Sequence, residues 1–200
     1  NLRHIYRLIL NSHTYQQSSI PAAGHPGAEE FFACYPVRQL DAEVLVDALC
    51  KITGTSESYQ SPIPEPFTFV PEEHRSVALS DGSITSQFLE MFGRPARDTG
   101  LASERSNKPT DAQRLHMLNS THIQNKIEKS MRLRGLVRAA RGNRNLLLDM
   151  LYMNILSRQP SQDEMEAARE YLKSNQISSR EAVNDIAWAL INSKEFLFRH

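Results

Sequence analysis

The residues whose types could do chemistry concentrate in RPARDTGLASERSNKPTDAQRLHMLNS, positions 94 to 120. The candidate polar cluster in this stretch is Arg94, Arg97, Glu104, Arg105 and Asn119. In one interpretation, the arginine forks pair with carboxylates and backbone carbonyl groups and pin an irregular segment to a helical core. In the other, a polar pocket floored by Arg97, Glu104 and Arg105, with Asn119 nearby, holds an anion or a sugar, or supplies an acid/base carboxylate. A glutamate among arginines should be ionised, which favours the structural interpretation.

Stronger catalytic and cofactor motifs are absent from the sequence. It contains no G-x-S-x-G elbow, no P-loop, no dinucleotide-binding glycine pattern and no C-x-x-C-H haem attachment motif. His116 and His122 are six residues apart, whereas a helix presents two metal ligands at i and i+4. Nothing orients Cys34 and His25 as a nucleophile and its base. We therefore expect no catalytic residue, no metal and no cofactor in this chain.

The two cysteines, Cys34 and Cys50, are too few for a disulfide framework. We expect two free thiols, with Cys50 packed in a helix. A single disulfide is the alternative if the protein is exported, because exported proteins meet oxidising surroundings.

The charge balance argues against nucleic acid as a partner. Lysine plus arginine and aspartate plus glutamate number 23 each, so the formal net charge is zero. Seven basic residues do lie between Lys126 and Arg144 against one acid, Glu128. They could meet phosphate or acidic polysaccharide, but the apolar stripe through the same stretch predicts the solvated face of a packed helix. No apolar run approaches the roughly 20 residues of a membrane span.

The front half of the chain predicts loops with a few helices, because eight of the ten prolines lie between Pro21 and Pro95. The chain opens in a helical pattern without an initiator Met, so we expect a fragment truncated at its N-terminus. A short helix is expected in SITSQFLEMFG, ending before Gly93. In the long proline-rich segment from 55 to 82, FTFV and SVAL could pair as two short strands.

A longer helix is expected between Asp41 as the N-cap and Gly54 as the stop. The residues expected on its buried stripe are Val44, Leu45, Ala48, Leu49 and Ile52.

The back half predicts amphipathic helices in series. Three capping boxes begin helices: Thr110 with Gln113, Ser161 with Glu164, and Ser178 with Glu181. The apolar stripes are Leu133, Leu136, Val137 and Ala140; Leu147, Leu148, Leu151, Tyr152 and Ile155; Met165, Ala168, Tyr171 and Leu172; and Val183, Ile186, Ala187, Leu190 and Ile191. The fold class is therefore mainly α, a multi-helix bundle with long irregular proline-rich loops and one candidate short β-hairpin. We expect a single mostly helical domain over residues 1–200, loop-rich over 1–100 and helical over 101–200.

Three stretches, LILNSHTY, HMLNSTHI and ALINSKEF, share an apolar pair followed by Asn-Ser. Asparagine tolerates the left-handed conformation and serine caps helices. Each stretch therefore predicts a helix end that is followed by a new turn. No fixed period separates them, so they are not repeats.

Four ordered motifs resemble one bacterial family. They are LILNSHTYQQSS, YPVRQLDAEVLVDAL, FGRPARDTGLASERSNKPTDAQRLHMLNS, and LYMNILSRQPSQDEMEAAREYL with AVNDIAWALINSKEFLFRH. Together they cover essentially the whole chain and resemble domain of unknown function 1553. That family is the C-terminal domain of large exported proteins of planctomycetes and related bacteria. Many members have Cys-x-Cys before the Glu-Arg-Ser, where this chain has Leu101 and Ser103, so no thiol role of that pair applies.

The resemblance implies a location and a setting but no activity. Family members sit behind another domain of unknown function, often with c-type cytochrome domains at the N-terminus. This implies export to the periplasm or cell envelope, near electron transfer and polysaccharide use. The first hypothesis is a non-catalytic interaction module. It would dock against upstream domains of its own polypeptide or a haem-bearing partner through the region from Arg94 to Ser120 and the long proline-rich loop.

Two alternatives remain, and each needs a different feature. If the chain is part of a carbohydrate-active or redox enzyme that an N-terminal region completes, it needs a concave site with a carboxylate of raised pKa. A module that binds polysaccharide needs exposed aromatic residues such as Tyr59, Phe67 or Phe69. The interaction module needs an exposed apolar patch, which we expect along the first helix at Leu2, Ile5 and Ile9.

Overall fold

The computed structural model describes residues 1–20, 30–31, 33–63, 70–71, 73–79, 84–95, 104–106, 108–174 and 178–199. The chain divides into two compact units, one formed by residues 1–39 with the C-terminal end from Phe198, the other by residues 40–197. The described chain is mainly helical, which confirms the predicted fold class. The expectation of a single domain with a loop-rich front part stays a prediction.

The described part of the first unit contains a helix and a short strand pair. Helix α1 spans Leu2–Leu10 and confirms the predicted opening helix. The Asn1 side chain caps it by accepting a hydrogen bond from the Arg3 amide at 3.1 Å. None of the residues of α1 is buried. Strand β1 (Arg38–Gln39) pairs antiparallel with strand β2 (Phe198–Arg199).

The second unit packs its helices around an apolar core. Its helices are α2 (Ala42–Thr53), α3 (Gln87–Met91), α4 (Asp111–Asn119), α5 (Thr121–Glu128), α6 (Met131–Ala140), α7 (Arg144–Ile155), α8 (Gln162–Ser174), α9 (Ser179–Ile191) and α10 (Lys194–Leu197), with a 3₁₀ turn at Ser76–Ala78. Its largest fully buried apolar side chains come from α2, α3, α5, α6, α7 and α9, and include Leu45, Leu49, Leu89, Ile123, Leu133, Leu148, Leu151 and Ile191. This core fixes the helices that hold the polar clusters described below.

Two local predictions in the front half were wrong in detail. SVAL forms the 3₁₀ turn at Ser76–Ala78 and not a strand, while residues 67–69 of its expected partner FTFV lie outside the described residues. The strand pair forms elsewhere, between β1 and β2. On α2, Val44 is 41% exposed and Val46 is buried. The reason is that at 3.6 residues per turn Val44 points away from the side shared by Leu45 and Leu49, whereas Val46 lies on it.

The predicted helix ends are confirmed. Both bonds of the capping box are present at Thr110, Ser161 and Ser178. In the three Asn-Ser stretches, the serine hydroxyl accepts a hydrogen bond from the backbone amide three residues later, at 3.2–3.3 Å: Tyr15 to Ser12, Ile123 to Ser120, and Phe196 to Ser193. Ser120 therefore ends α4 and caps α5 within one residue, which makes a tight corner between these two helices.

The apolar stripes of the back half are confirmed, but they are buried to different extents. All five stripe residues of α7 are buried, as are four of the five in α9, with Ile186 partly covered. The α8 stripe at Met165, Ala168, Tyr171 and Leu172 is only half-buried. Helix α8 thus lies at the margin of the bundle.

Candidate functional site

Two of the predicted polar residues meet on a third that the sequence did not suggest. The Arg94 side chain is 1% exposed, and its Nε lies 3.3 Å from Glu43 Oε1. The same guanidinium donates a hydrogen bond from Nη1 to the Ile84 carbonyl oxygen at 2.7 Å. Arg105 approaches from the other side, with Nη1 2.8 Å from Glu43 Oε2. The two arginines therefore enclose one buried carboxylate, and we call Glu43, Arg94 and Arg105 the Glu43 cluster.

Two of the other predicted residues lie at the surface. Glu104 is exposed, and Asn119 is the exposed last residue of α4. Arg97 lies outside the described residues. Glu43 was missed because α2 was interpreted only by its apolar stripe. The sequence did contain a signal, because Glu43 follows Ala42 in the first turn of α2. Both residues are buried.

Gly93 holds the segment of Arg105 against the end of α3. Its φ is +91°, and its carbonyl oxygen accepts a hydrogen bond from the Ser106 amide at 3.2 Å. A Cβ at position 93 would collide with the carbonyl oxygen of Ser106. Glycine is therefore required here by both the backbone conformation and the close approach.

Gly93→Ala is expected to lower the free energy of unfolding by about 2 kcal/mol or more, because a side chain meets both the positive φ and the collision. Urea unfolding followed by circular dichroism measures it. Gly135→Ala in α6 is the matched control, since nothing lies within 4 Å of its added Cβ. It should stabilise the chain by about 0.5–1 kcal/mol. Equal, small effects at both positions would contradict the described role of Gly93.

A second carboxylate, that of Glu57, is only 9% exposed and contacts two residues of α5. Glu57 Oε2 lies 3.0 Å from His122 Nε2 and 3.0 Å from Lys126 Nζ. Lys126 is buried and also donates hydrogen bonds to the Ser56 carbonyl oxygen at 2.8 Å and Cys50 Sγ at 3.3 Å. Lys126 is thus an exception to the predicted solvated basic face, because it serves as an internal counterion.

The corner between α4 and α5 brings two histidines together. His116 Nε2 lies 3.4 Å from His122 Nδ1, and the two ring centroids are 5.6 Å apart. Both rings contact the buried Phe88 ring, at centroid distances of 5.7 and 5.5 Å. The spacing rule for one helix did not find this pair because the histidines belong to two helices. We call His116, His122 and Glu57 the imidazole relay.

The protonation of the relay follows from its neighbours. Burial disfavours the charged form of Glu57, but the His122 hydrogen bond and the Lys126 charge together hold its pKa below the ordinary value. Burial, and then the nearby His122, lower the pKa of His116. Glu57 is therefore ionised and His116 neutral at neutral pH. His116 Nε2 and His122 Nδ1 face each other as one hydrogen-bonded pair, in which the tautomer decides which nitrogen donates.

The relay faces a cavity of about 230 Å³. Apart from the relay and Phe88, its lining is polar and uncharged: Ser58, Gln60, Ser86 and Gln87. The arrangement can exchange hydrogen bonds with a small polar group. Its oxygen-bearing lining can also supply weak ligands.

The two cysteine thiols are at least partly buried, and so is Tyr59, one of the aromatic residues expected for polysaccharide binding. Cys34 and Cys50 are both free, which confirms that prediction. Burial raises the pKa of Cys50 despite the nearby Lys126, so the thiol is protonated at neutral pH and not poised as a nucleophile. Tyr59 is half-buried, its hydroxyl lies 2.6 Å from Ser76 Oγ, and burial raises its pKa to about 12. Phe67 and Phe69 lie outside the described residues.

Helix α1 has the opposite character, an apolar face open to solvent. Leu2 is 71% exposed, Ile5 51%, Tyr6 62% and Ile9 49%. These residues recur at helical spacing and form one face. Arg3 and Arg7 lie together on the side of the helix turned away from that face, and α1 has no acidic residue. The exposed patch expected along the first helix is therefore present.

The fold and its clusters define a mainly α protein with buried ionic pairs and an exposed amphipathic helix. The chain belongs to the PSD1 family of proteins of unknown function (DUF1553), whose sequence profile matches residues 1–172. The match includes three of the four resembling motifs and the first part of the fourth. The likeness of AVNDIAWALINSKEFLFRH to the family stays a prediction. No curated protein and no solved structure matches the chain, and none of the described helices is long and apolar enough to span a bilayer.

Proposed function

We propose that this chain is a non-catalytic interaction module of a larger exported, cytochrome-associated protein, and that α1 is its docking surface. The observation that carries the proposal is the exposure of Leu2, Ile5, Tyr6 and Ile9 on one helical face. Contiguous exposed apolar residues of this kind are typical of interaction sites. The proposed location is the periplasm or cell envelope.

The partner we propose is another domain of the same polypeptide, one with an apolar groove rimmed by carboxylates. An amphipathic helix binds such a groove through residues at i, i+3, i+4 and i+7, which are Leu2, Ile5, Tyr6 and Ile9 here. The acidic rim is proposed because α1 has Arg3 and Arg7 outside its apolar face and no acidic residue. A haem-bearing partner protein and a polysaccharide are the other outcomes that the test distinguishes.

The Glu43 cluster supports the non-catalytic interpretation. An acid/base role would require a carboxylate that reaches substrate and holds a proton near neutral pH. The Glu43 carboxylate instead has a buried guanidinium on one oxygen and a second guanidinium on the other. These arginines are used to close the fold around a buried charge.

The docking role is tested by replacing Ile5 and Ile9 together with glutamate. Both side chains are exposed in the chain, so its melting temperature should change little. Affinity for the remaining polypeptide of the natural protein, measured by isothermal titration calorimetry, should fall at least about tenfold because two central apolar contacts are lost. Leu115→Glu on α4, at a side chain 58% exposed, is the matched control and should leave that affinity unchanged.

The same titration has outcomes that count against the proposal. Equal affinity of the Ile5→Glu/Ile9→Glu chain and the unmodified chain would remove α1 as the docking surface. Binding only to a separately purified c-type cytochrome, or only to a soluble polysaccharide, would replace the proposed partner.

A further inference from the structure

We propose that a row of arginines along α6 binds a linear acidic polysaccharide, a sugar polymer that carries carboxylate groups. The row consists of Arg134, Arg138, Arg141, Arg144 and Arg180, and we call it the arginine row. These residues come from α6, its C-terminal cap, the start of α7 and the start of α9. The inference does not rest on the docking role of α1.

The arginine row follows one side of α6 and continues past its end. Arg134 and Arg138 are four residues apart, a spacing that places helical residues on the same side. Arg141 is the C-cap of α6, and Arg144 is the first residue of α7. The buried residues of α6 lie on another side of the helix, so the packing of α6 leaves Arg138, Arg141 and Arg144 exposed.

Two guanidinium groups meet at one end of the row. Arg134 Nη2 donates a hydrogen bond to the Glu128 carbonyl oxygen at 3.0 Å, and Arg180 Nη2 donates one to the same oxygen at 3.4 Å. This oxygen belongs to the last residue of α5, and a helix C-terminus attracts cations. The carbonyl oxygen carries no formal charge, so two positive groups lie close together there without a counterion.

The rest of the row also lacks a carboxylate partner. In the part of the chain that the structure describes, none of its five arginines forms an ion pair. Glu181 follows Arg180 in the sequence, but its carboxylate accepts a hydrogen bond from the Ser178 amide at 2.9 Å. A chain with a formal net charge of zero therefore concentrates uncompensated positive charge on this surface.

Two residues of the row occupy positions that disfavour arginine. Arg141 has φ +48° and ψ +38°, a left-handed conformation that costs free energy in a residue other than glycine. Arg144 lies at the positive end of α7, whose first turn contains no acidic residue. Residues that oppose local folding preferences cluster at functional sites. An anionic ligand at the α6–α7 corner gives both arginines a role that the fold alone does not.

The form of the row favours a sugar polymer. The exposed residues between its arginines on α6 include Gly135 and Ala139, which are small and leave the guanidinium groups accessible to an extended chain. Arginine forks donate paired hydrogen bonds to carboxylates. Single-stranded nucleic acid also needs aromatic residues for stacking, and the row has none. The zero net charge gives no long-range attraction to duplex DNA.

Titration of the full chain with sodium polygalacturonate tests the arginine row. Isothermal titration calorimetry should show binding whose affinity falls at least about tenfold when NaCl is raised from about 50 to 200 mM, because binding releases counterions. Neutral dextran should not bind. Arg138→Gln/Arg144→Gln should weaken binding at least about tenfold with little change in melting temperature, because both side chains are exposed.

The matched control is Arg114→Gln/Lys194→Gln, which removes the same number of positive charges from exposed sites on α4 and α10. It should bind polygalacturonate as the unmodified chain does. Equal affinity losses in the control and the row variant would mean that overall charge alone is responsible, and would overturn the proposal. Absence of binding by the unmodified chain would overturn it as well.

Arg141→Gly separates binding from folding. Glycine adopts the backbone conformation of position 141 without strain, so the melting temperature should rise while the affinity for polygalacturonate falls at least about threefold. A more stable variant with full affinity would count against the proposal. Tighter binding of duplex DNA or of phosphatidylglycerol vesicles than of polygalacturonate, lost in the same row variants, would overturn the assignment to a polysaccharide.

Discussion

Glu43→Ala is expected to lower the free energy of unfolding by about 3–5 kcal/mol, since it removes the buried carboxylate that Arg94 and Arg105 both contact. Arg94 has a side chain only 1% exposed, and its Nε faces Glu43 Oε1. Its guanidinium also donates a hydrogen bond to the Ile84 carbonyl oxygen, which carries no formal charge. Urea unfolding, with the midpoint and slope fitted together, measures the loss.

Matched variants separate the charge from the packing. Glu43→Gln keeps the size and the hydrogen-bonding oxygen but removes the charge, so its loss should be intermediate. Arg105→Ala should cost less than Glu43→Ala, because the Arg105 side chain is 26% exposed and water screens part of its contribution. Glu90→Ala, at an exposed site on α3, should stay within about 0.5 kcal/mol. A Glu43→Ala loss equal to that of Glu90→Ala would contradict the structural role of the cluster.

Lys126→Met is expected to be the second large loss, about 3 kcal/mol, because it removes the ammonium group from a largely buried carboxylate that keeps its His122 contact. Methionine matches the length of lysine but leaves Glu57 Oε2 and the Ser56 carbonyl oxygen without the ammonium group. Lys129→Met, three residues further and exposed, is the control and should change stability by less than about 0.5 kcal/mol. Adding Glu57→Gln to Lys126→Met should recover part of the loss, because the two groups are coupled.

The same variant should change how stability depends on pH. The pKa of Glu57 is held below its ordinary value of 4.5 in the folded chain. The group therefore contributes stability above pH 4.5, and this contribution is lost as the pH falls through the lower folded pKa. In Lys126→Met, burial raises the pKa of Glu57 without the opposing lysine charge. The stability lost between pH 6 and pH 3 should therefore be smaller than in the unmodified chain. An unchanged pH profile between pH 6 and pH 3 would contradict the assigned pairing.

Local features of the fold could be predicted from the sequence because they depend on neighbours along the chain. The capping boxes at Thr110 and Ser178, and the three Asn-Ser junctions, rest on hydrogen bonds spanning three residues. The stripe of α7 was equally clear, because its five residues share one face that is buried in the core. SVAL was misassigned because strand propensity in so short a stretch is decided by its partners.

The polar clusters could be anticipated only in part. Arg94 and Arg105 were selected from composition, but their shared partner Glu43 lies about fifty to sixty residues earlier on another helix. His116 and His122 were examined by the spacing of a single helix, and only the Ser120 corner shows why six residues bring them together. Lys126 was assigned to the solvated face because its counterion, Glu57, belongs to a segment without periodic pattern. Long-range pairing of this kind is set by tertiary packing rather than local sequence.

Hydrogen exchange of α1 tests the central claim most directly. Amide exchange would be compared by mass spectrometry between this chain alone and the complete natural polypeptide under identical conditions. If α1 docks against another domain, the amides from Ile5 to Leu10 should exchange at least about tenfold more slowly in the complete polypeptide, because opening the helix then requires undocking. The amides of α4 around Leu115 should be unchanged. Equal exchange of α1 in both forms, or a natural polypeptide with no further domain, would contradict the proposed interaction module.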